Sequence, residues 1–103
     1  MKTSRHYNQD RIEREKKIRE IGIGKEVATF RVDRHHLNGA ELHTITTTGI
    51  IIIKNEKTGK LITKLIAKPV QIARYFDEIT PEIEKIMAIA EEHKRKGYNR
   101  IER

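Results

Sequence analysis

Three residue types that move protons or hold anions crowd into one short stretch, DRHHLNGAELHTI, from Asp33 to Ile45. It carries His35, His36, Glu41, His43 and Arg34 around an Asn38-Gly39 pair. Histidine transfers protons near neutral pH, and a carboxylate can act as base or orient an imidazole. Arginine stabilises a developing oxyanion. Together these types suit metal-free acid–base cleavage of RNA through its own 2′-hydroxyl. That reaction needs a base, an acid, a cation for the phosphorane and a hold on the phosphate.

Whether these side chains meet depends on strands and turns. From Lys25 to Lys68 the hydrophobic pattern has a period of two, broken at Asn38-Gly39, Thr48-Gly49 and Thr58-Gly59. Each glycine permits the positive φ of a tight hairpin, and Asn-Gly is the strongest of these signals. The pattern predicts a four-stranded antiparallel meander. The Ile50–Ile53 run suits a strand covered on both faces. Two-residue turns set a register in which His36 faces Glu41, Arg34 faces His43, Val32 faces Ile45 and Phe30 faces Thr47. The next hairpins set His43 opposite Lys54 and Ile45 opposite Ile52, then Lys54 opposite Thr63 and Ile52 opposite Leu65. Directly opposed residues share a face. Arg34, His36, Glu41, His43, Lys54 and Thr63 thus form one polar row beside an apolar zone of Phe30, Val32, Ile45, Ile52 and Leu65. His36, Glu41, His43 and Thr63 are the catalytic candidates of that row, and Arg34 and Lys54 its phosphate-binding candidates. A one-residue slip would turn a strand's side chains to the other face.

Other elements frame the sheet. Residues 7–21 predict a basic helix with few apolar positions, Ile12, Ile18 and Ile21, and opposite charges four apart at Arg11/Glu15, Glu13/Lys17 and Lys16/Glu20. Gly22 and Gly24 end it. Pro69 stops the last strand and opens a short helix over VQIARYF, where Tyr75 and Phe76 pack. Thr80 caps a final helix with Pro81 in its first turn and an apolar stripe of Ile79, Ile83, Ile86, Met87 and Ala90. The helices occupy 69–96, and 97–103 is expected to be a mobile tail. The fold class is α+β in a single domain: the meander sheet, an N-terminal helix, and one short plus one longer C-terminal helix.

Composition narrows the function. The 103 residues carry a net charge of +7, which favours a polyanion. Cysteine is absent, which excludes disulfides and thiolate metal sites and suits a reducing cytoplasm. MKTSRHYNQD has no apolar signal-peptide core, and the apolar runs are too short to span a bilayer. The expected location is cytoplasmic, without membrane contact and without a cofactor. Zinc on the histidines and Glu41 is disfavoured, because His35 and His36 point to opposite faces and Arg34 and Lys54 repel a cation. Two other readings stand beside catalysis. The row can be a set of exposed cross-strand pairs, or a sheet face that binds nucleic acid without cutting it. The second lacks aromatic platforms for stacking, since there are two Phe, three Tyr and no Trp.

The stretch HLNGAELHTI…GIIIIKNEKTGKLITKLIAKPVQIARYF resembles small phage and prophage proteins of the barnase–EndoU–colicin–RelE-like nuclease group. The resemblance covers roughly residues 30–76 and rests on NGxExH at Asn38–His43, KLIT at Lys60–Thr63 and IAKPxQIxRY at Ile66–Tyr75. It implies a helix plus a four-stranded antiparallel sheet and metal-independent ribonuclease activity, with non-catalytic members in the same group. The residues it carries over are Glu41, His43 and Thr63, with Arg74 as a phosphate-binding candidate. Lys68 stands where the pattern has arginine, and lysine lacks the bidentate fork. The leading expectation is a metal-independent endoribonuclease of phage or toxin type, with RNA as partner and an acidic antitoxin or immunity protein as a second partner. The alternatives are a non-catalytic nucleic-acid-binding phage regulator and a basic protein-binding inhibitor or adaptor.

Overall fold

A computed structural model describes residues 2–34 and 39–98, with side chains from residue 11 onward. The chain runs α1 (Lys2–Ile21), β1 (Glu26–Arg34), β2 (Gly39–Thr46), β3 (Ile50–Asn55), β4 (Leu61–Ile66), α2 (Pro69–Ala73) and α3 (Pro81–Arg95). The strands form one antiparallel sheet in the order β1-β2-β3-β4, the expected meander. No helix among the described residues is long and apolar enough to cross a membrane.

Both faces of β3 are covered, as its isoleucine run requires. Ile51 and Ile53 join Ile45 and Ala67 under α2 and α3, packed against Ile72, Ile83, Ile86 and Ala90. Ile50 and Ile66 meet Ile18 of α1 on the opposite face. Thr80 caps α3 by accepting a hydrogen bond from the Ile83 N–H. Of the stripe expected on α3, Ile83, Ile86 and Ala90 are buried and Met87 packs against them, but Ile79 is exposed. Ile79 precedes the Thr80 cap, where the chain has not yet taken its helical direction.

All three hairpins differ from two-residue turns. In the first, Arg34 pairs with Gly39, Val32 with Glu41 and Phe30 with His43. Residues 35–38 connect the strands, so Asn38 and His36 lie outside the described residues. Arg34 therefore does not oppose His43, Val32 does not oppose Ile45, and Glu41 opposes Val32 rather than His36. The displacement is by an even number of residues, so the face of each strand is unchanged. This register brings Phe30 beside Tyr75 and Phe76, with ring centroids 5.4 and 5.1 Å away. Aromatic packing of this kind stabilises one pairing over another.

The second turn spans three residues. Gly49 donates to the Thr46 carbonyl at 3.1 Å with φ +82°, the left-handed position of a three-residue hairpin loop. Buried Thr46 holds the turn from within, its hydroxyl accepting from the Ile50 N–H. The third turn is organised by Asn55, whose side-chain oxygen accepts from the Lys57 and Thr58 N–H groups, both at 2.9 Å. Each loop shifts the register by one. His43 pairs with Ile53, not Lys54, and Ile45 with Ile51, not Ile52. Ile53 then pairs with Thr63, and Ile51 with Leu65. The first slip turns β3 over relative to β2; the second restores β4. Lys54 leaves the polar row, Ile53 enters it, and Thr63 keeps the register side of His43.

Candidate functional site

Glu41 and His43 stand two residues apart on β2 and so share one face. Arg34 approaches from the end of β1, and Tyr75 from the chain just after α2. His43 is the centre of this group and is only 4% exposed. Its Nε2 lies 2.9 Å from Glu41 Oε1, and its Nδ1 lies 2.6 Å from the Tyr75 hydroxyl. The same carboxylate oxygen accepts from Arg34 Nε at 3.1 Å.

The partners assign the protons. An ionised carboxylate only accepts, so Nε2 carries the hydrogen that points at Glu41. In the neutral ring Nδ1 is then the acceptor, and the Tyr75 phenol donates to it. The result is a continuous chain, Tyr75 O–H to His43 and His43 N–H to Glu41, with Arg34 closing the acidic end. The hydrogen bond from His43 holds the Glu41 carboxyl below its ordinary value of 4.5; partial burial opposes this, and Arg34 adds to the lowering. Burial pushes the Tyr75 phenol above its ordinary value of 10.0. The phenol therefore stays protonated at neutral pH and remains a donor. Phe30 supports the ring of Tyr75, and the His43 ring lies 5.7 Å from it.

This unit can store and pass a proton along a fixed path. His43 bridges a carboxylate that can stabilise the imidazolium and the hydroxyl of half-buried Tyr75. Arg34, whose side chain is 39% exposed, and half-buried Tyr75 retain more exposure than His43. No group of three His, Cys, Asp or Glu among the described residues is placed to hold a metal ion.

The candidates named from sequence divide into those that meet and those that do not. Arg34, Glu41 and His43 come together. Lys54 does not: it is exposed and pairs with Leu42, on the face away from His43. The three-residue loop at Gly49 is the cause. Thr63 lies two strands from His43 with Ile53 between them, and its hydroxyl accepts from Arg14 Nη1 of α1 at 3.3 Å. Lys68 is exposed at the start of α2, where its N–H donates to the Gln71 side chain. Arg74 is exposed at the end of α2, next to Tyr75. His36 lies outside the described residues.

Tyr75 was legible only as a packing residue. The pattern IAKPxQIxRY placed it after a short helix, but strand periodicity gives no measure of where such a helix returns to the sheet. A buried histidine two residues from a glutamate, with few aromatics elsewhere, is the signal that points to it afterwards. No family model, curated protein or solved structure matches the chain.

Proposed function

We propose that this chain is a metal-independent endoribonuclease of phage or toxin type, acting on RNA in the cytoplasm. The observation that carries the proposal is the hydrogen-bonded line Tyr75–His43–Glu41 with Arg34 at its end. The net charge of +7 and the resemblance to the barnase–EndoU–colicin–RelE-like group support it.

In this reading the Tyr75 oxygen faces the RNA. It takes the proton of the attacking 2′-hydroxyl while its own proton passes to His43 Nδ1. The imidazolium so formed is stabilised by Glu41. The 2′-oxygen bonds to phosphorus, and the bond to the 5′-oxygen breaks. The proton returns through Tyr75 to the leaving oxygen, which gives a 2′,3′-cyclic phosphate and a 5′-hydroxyl. Arg34 offsets the charge of the phosphorane. Arg74 and Lys68, the caps at the two ends of α2, contact neighbouring phosphates.

The test is incubation of the purified protein with labelled RNA in excess chelator, with analysis of the ends produced. Cyclic phosphate ends are expected, with activity falling by roughly 10²–10⁴ in His43→Ala and Tyr75→Phe. Unstructured, structured and ribosome-bound RNA all surviving intact would exclude the enzyme. The second reading, a non-catalytic nucleic-acid-binding regulator, is favoured by the burial of His43 and by the separation of Lys54 and Thr63 from it. Salt-dependent RNA binding without cleavage is its signature.

A further inference from the structure

We infer that His93 is an acid-released latch. Its neutral ring fastens the end of α3 to the turn between β2 and β3, and proton uptake at Nδ1 frees that turn together with Tyr98 and α1. The inference does not depend on RNA cleavage.

His93 lies in the last turn of α3 and is only 8% exposed. Its Nε2 lies 2.9 Å from the Thr48 carbonyl oxygen. A carbonyl only accepts, so Nε2 carries the hydrogen, and Nδ1 of the neutral ring is a bare acceptor. That Nδ1 is buried and has no hydrogen-bond partner. His43, also buried, has partners at both nitrogens. His93 therefore has a place for one N–H and none for a second. A protonated ring donates from both nitrogens, and a buried charged donor without an acceptor is costly.

Among the described residues, no carboxylate reaches Nδ1. The β2–β3 turn, Thr46 to Gly49, brings hydroxyls and no ionisable group. α1 brings Lys17, and the chain after α3 brings Lys96. Their ammonium groups lie 5.7 and 5.8 Å from the centre of the Tyr98 ring, which itself stacks on His93. On α3, the neighbouring Glu92 is exposed and pairs with Arg95. The end of a helix favours a cation, but the carbonyls of Glu92, His93 and Lys94 already accept from Lys96, Tyr98 and Gly97.

The bond to Thr48 ties several elements together. The Thr48 hydroxyl donates to the Gly22 and Ile23 carbonyls at the end of α1. Tyr98 packs beside Ile18, Ile50 and Ile66, the apolar contact between α1 and the sheet. A charged His93 is solvated only when Tyr98 and Thr48 part from it, and that opening uncovers Ile18, Ile50 and Ile66. The closed ring is neutral, while a solvated histidine takes up a proton around pH 6.5. Opening is thus coupled to binding one proton: the latch holds above that pH and loosens below it.

The experiment is amide hydrogen exchange of the full chain from about pH 7.5 to about pH 5.5, read as protection factors, with the His93 ring followed by NMR. Protection of the Tyr98 and Gly22 amides should fall about tenfold as the ring takes its proton. The Thr44 and Ile52 amides of the central strands should keep theirs. His93→Gln keeps an N–H for the Thr48 carbonyl and cannot charge, so its protection should not change with pH. An equal loss in His93→Gln would overturn the inference. So would a His93 ring that takes up its proton while the Tyr98 and Gly22 amides stay protected, or a ring that stays neutral throughout. The last two outcomes are read on the parent chain and need no variant.

Discussion

At the level of single residues, His43 shows how a buried polar group is tolerated. Both of its nitrogens have partners, so its burial leaves no ring atom unsatisfied. Tyr75→Phe keeps the ring against Phe30 but removes the hydroxyl that donates to Nδ1. The buried acceptor is then unpaired, and urea denaturation should show a loss of about 1–3 kcal/mol. Glu41 makes a pH-dependent contribution of known sign. Its folded-state pKa lies below the unfolded value, first through the His43 hydrogen bond. The stabilisation is therefore complete above the ordinary carboxylate range and is lost as the pH falls through the lowered value. Thermal melts of Glu41→Gln across the acid range should show a shallower decline than the parent. Tyr75 works in the opposite limb: its raised pKa makes the native state lose stability as the pH rises beyond the ordinary phenol value of 10.0.

At the level of elements, the loops decide which side chains meet. The sequence marks all three turns by glycine but does not count their residues. Thr46 and Asn55 make the difference: one hydroxyl and one side-chain amide bind turn N–H groups and lengthen both loops beyond two residues. Gly49 tests this account. Its φ of +82° disfavours a side chain, while an added Cβ would meet nothing nearer than 3.8 Å. Gly49→Ala should therefore cost about 1–2 kcal/mol from the backbone alone, measured by urea denaturation. Lys54→Ala separates the two registers by activity. On the observed register, the proposed cleavage should be unchanged, and stability should stay within about 0.5 kcal/mol. The helices add contacts that strand patterning does not reveal. His93 of α3 donates from Nε2 to the Thr48 carbonyl at 2.9 Å and stacks on Tyr98. Tyr98 falls in the segment expected to be a mobile tail, yet it packs beside Ile18 and Ile50. A histidine in the last turn of a helix reads as a charged end, not as a clamp on a distant hairpin.

For the whole molecule, the two covered sheet faces leave the positive charge spread over several surfaces. Lys54 lies on the α1 side of the sheet by register, while Arg34, Lys68 and Arg74 belong to the end of the molecule that carries Tyr75. Under the proposed function, RNA bound through the latter group should weaken with salt, with log K falling by roughly 0.7 per phosphate contact per log unit of salt. Arg34→Ala should reduce that slope by about 0.7, while Lys54→Ala should leave it unchanged.

The sequence by itself determined the order of elements, the antiparallel meander, the cap at Thr80 and the sharing of one face by Glu41 and His43. Those features follow from local rules: a period of two, turn chemistry, capping hydroxyls, and the alternation of side chains along a strand. Only the tertiary structure decided that Lys54 turns away, that Thr63 binds Arg14, and that Tyr75 completes the line through His43. The physical reason lies in parity and return geometry. One residue more in a loop exchanges the two faces of the next strand, and the position of Tyr75 depends on how α2 packs back across the sheet.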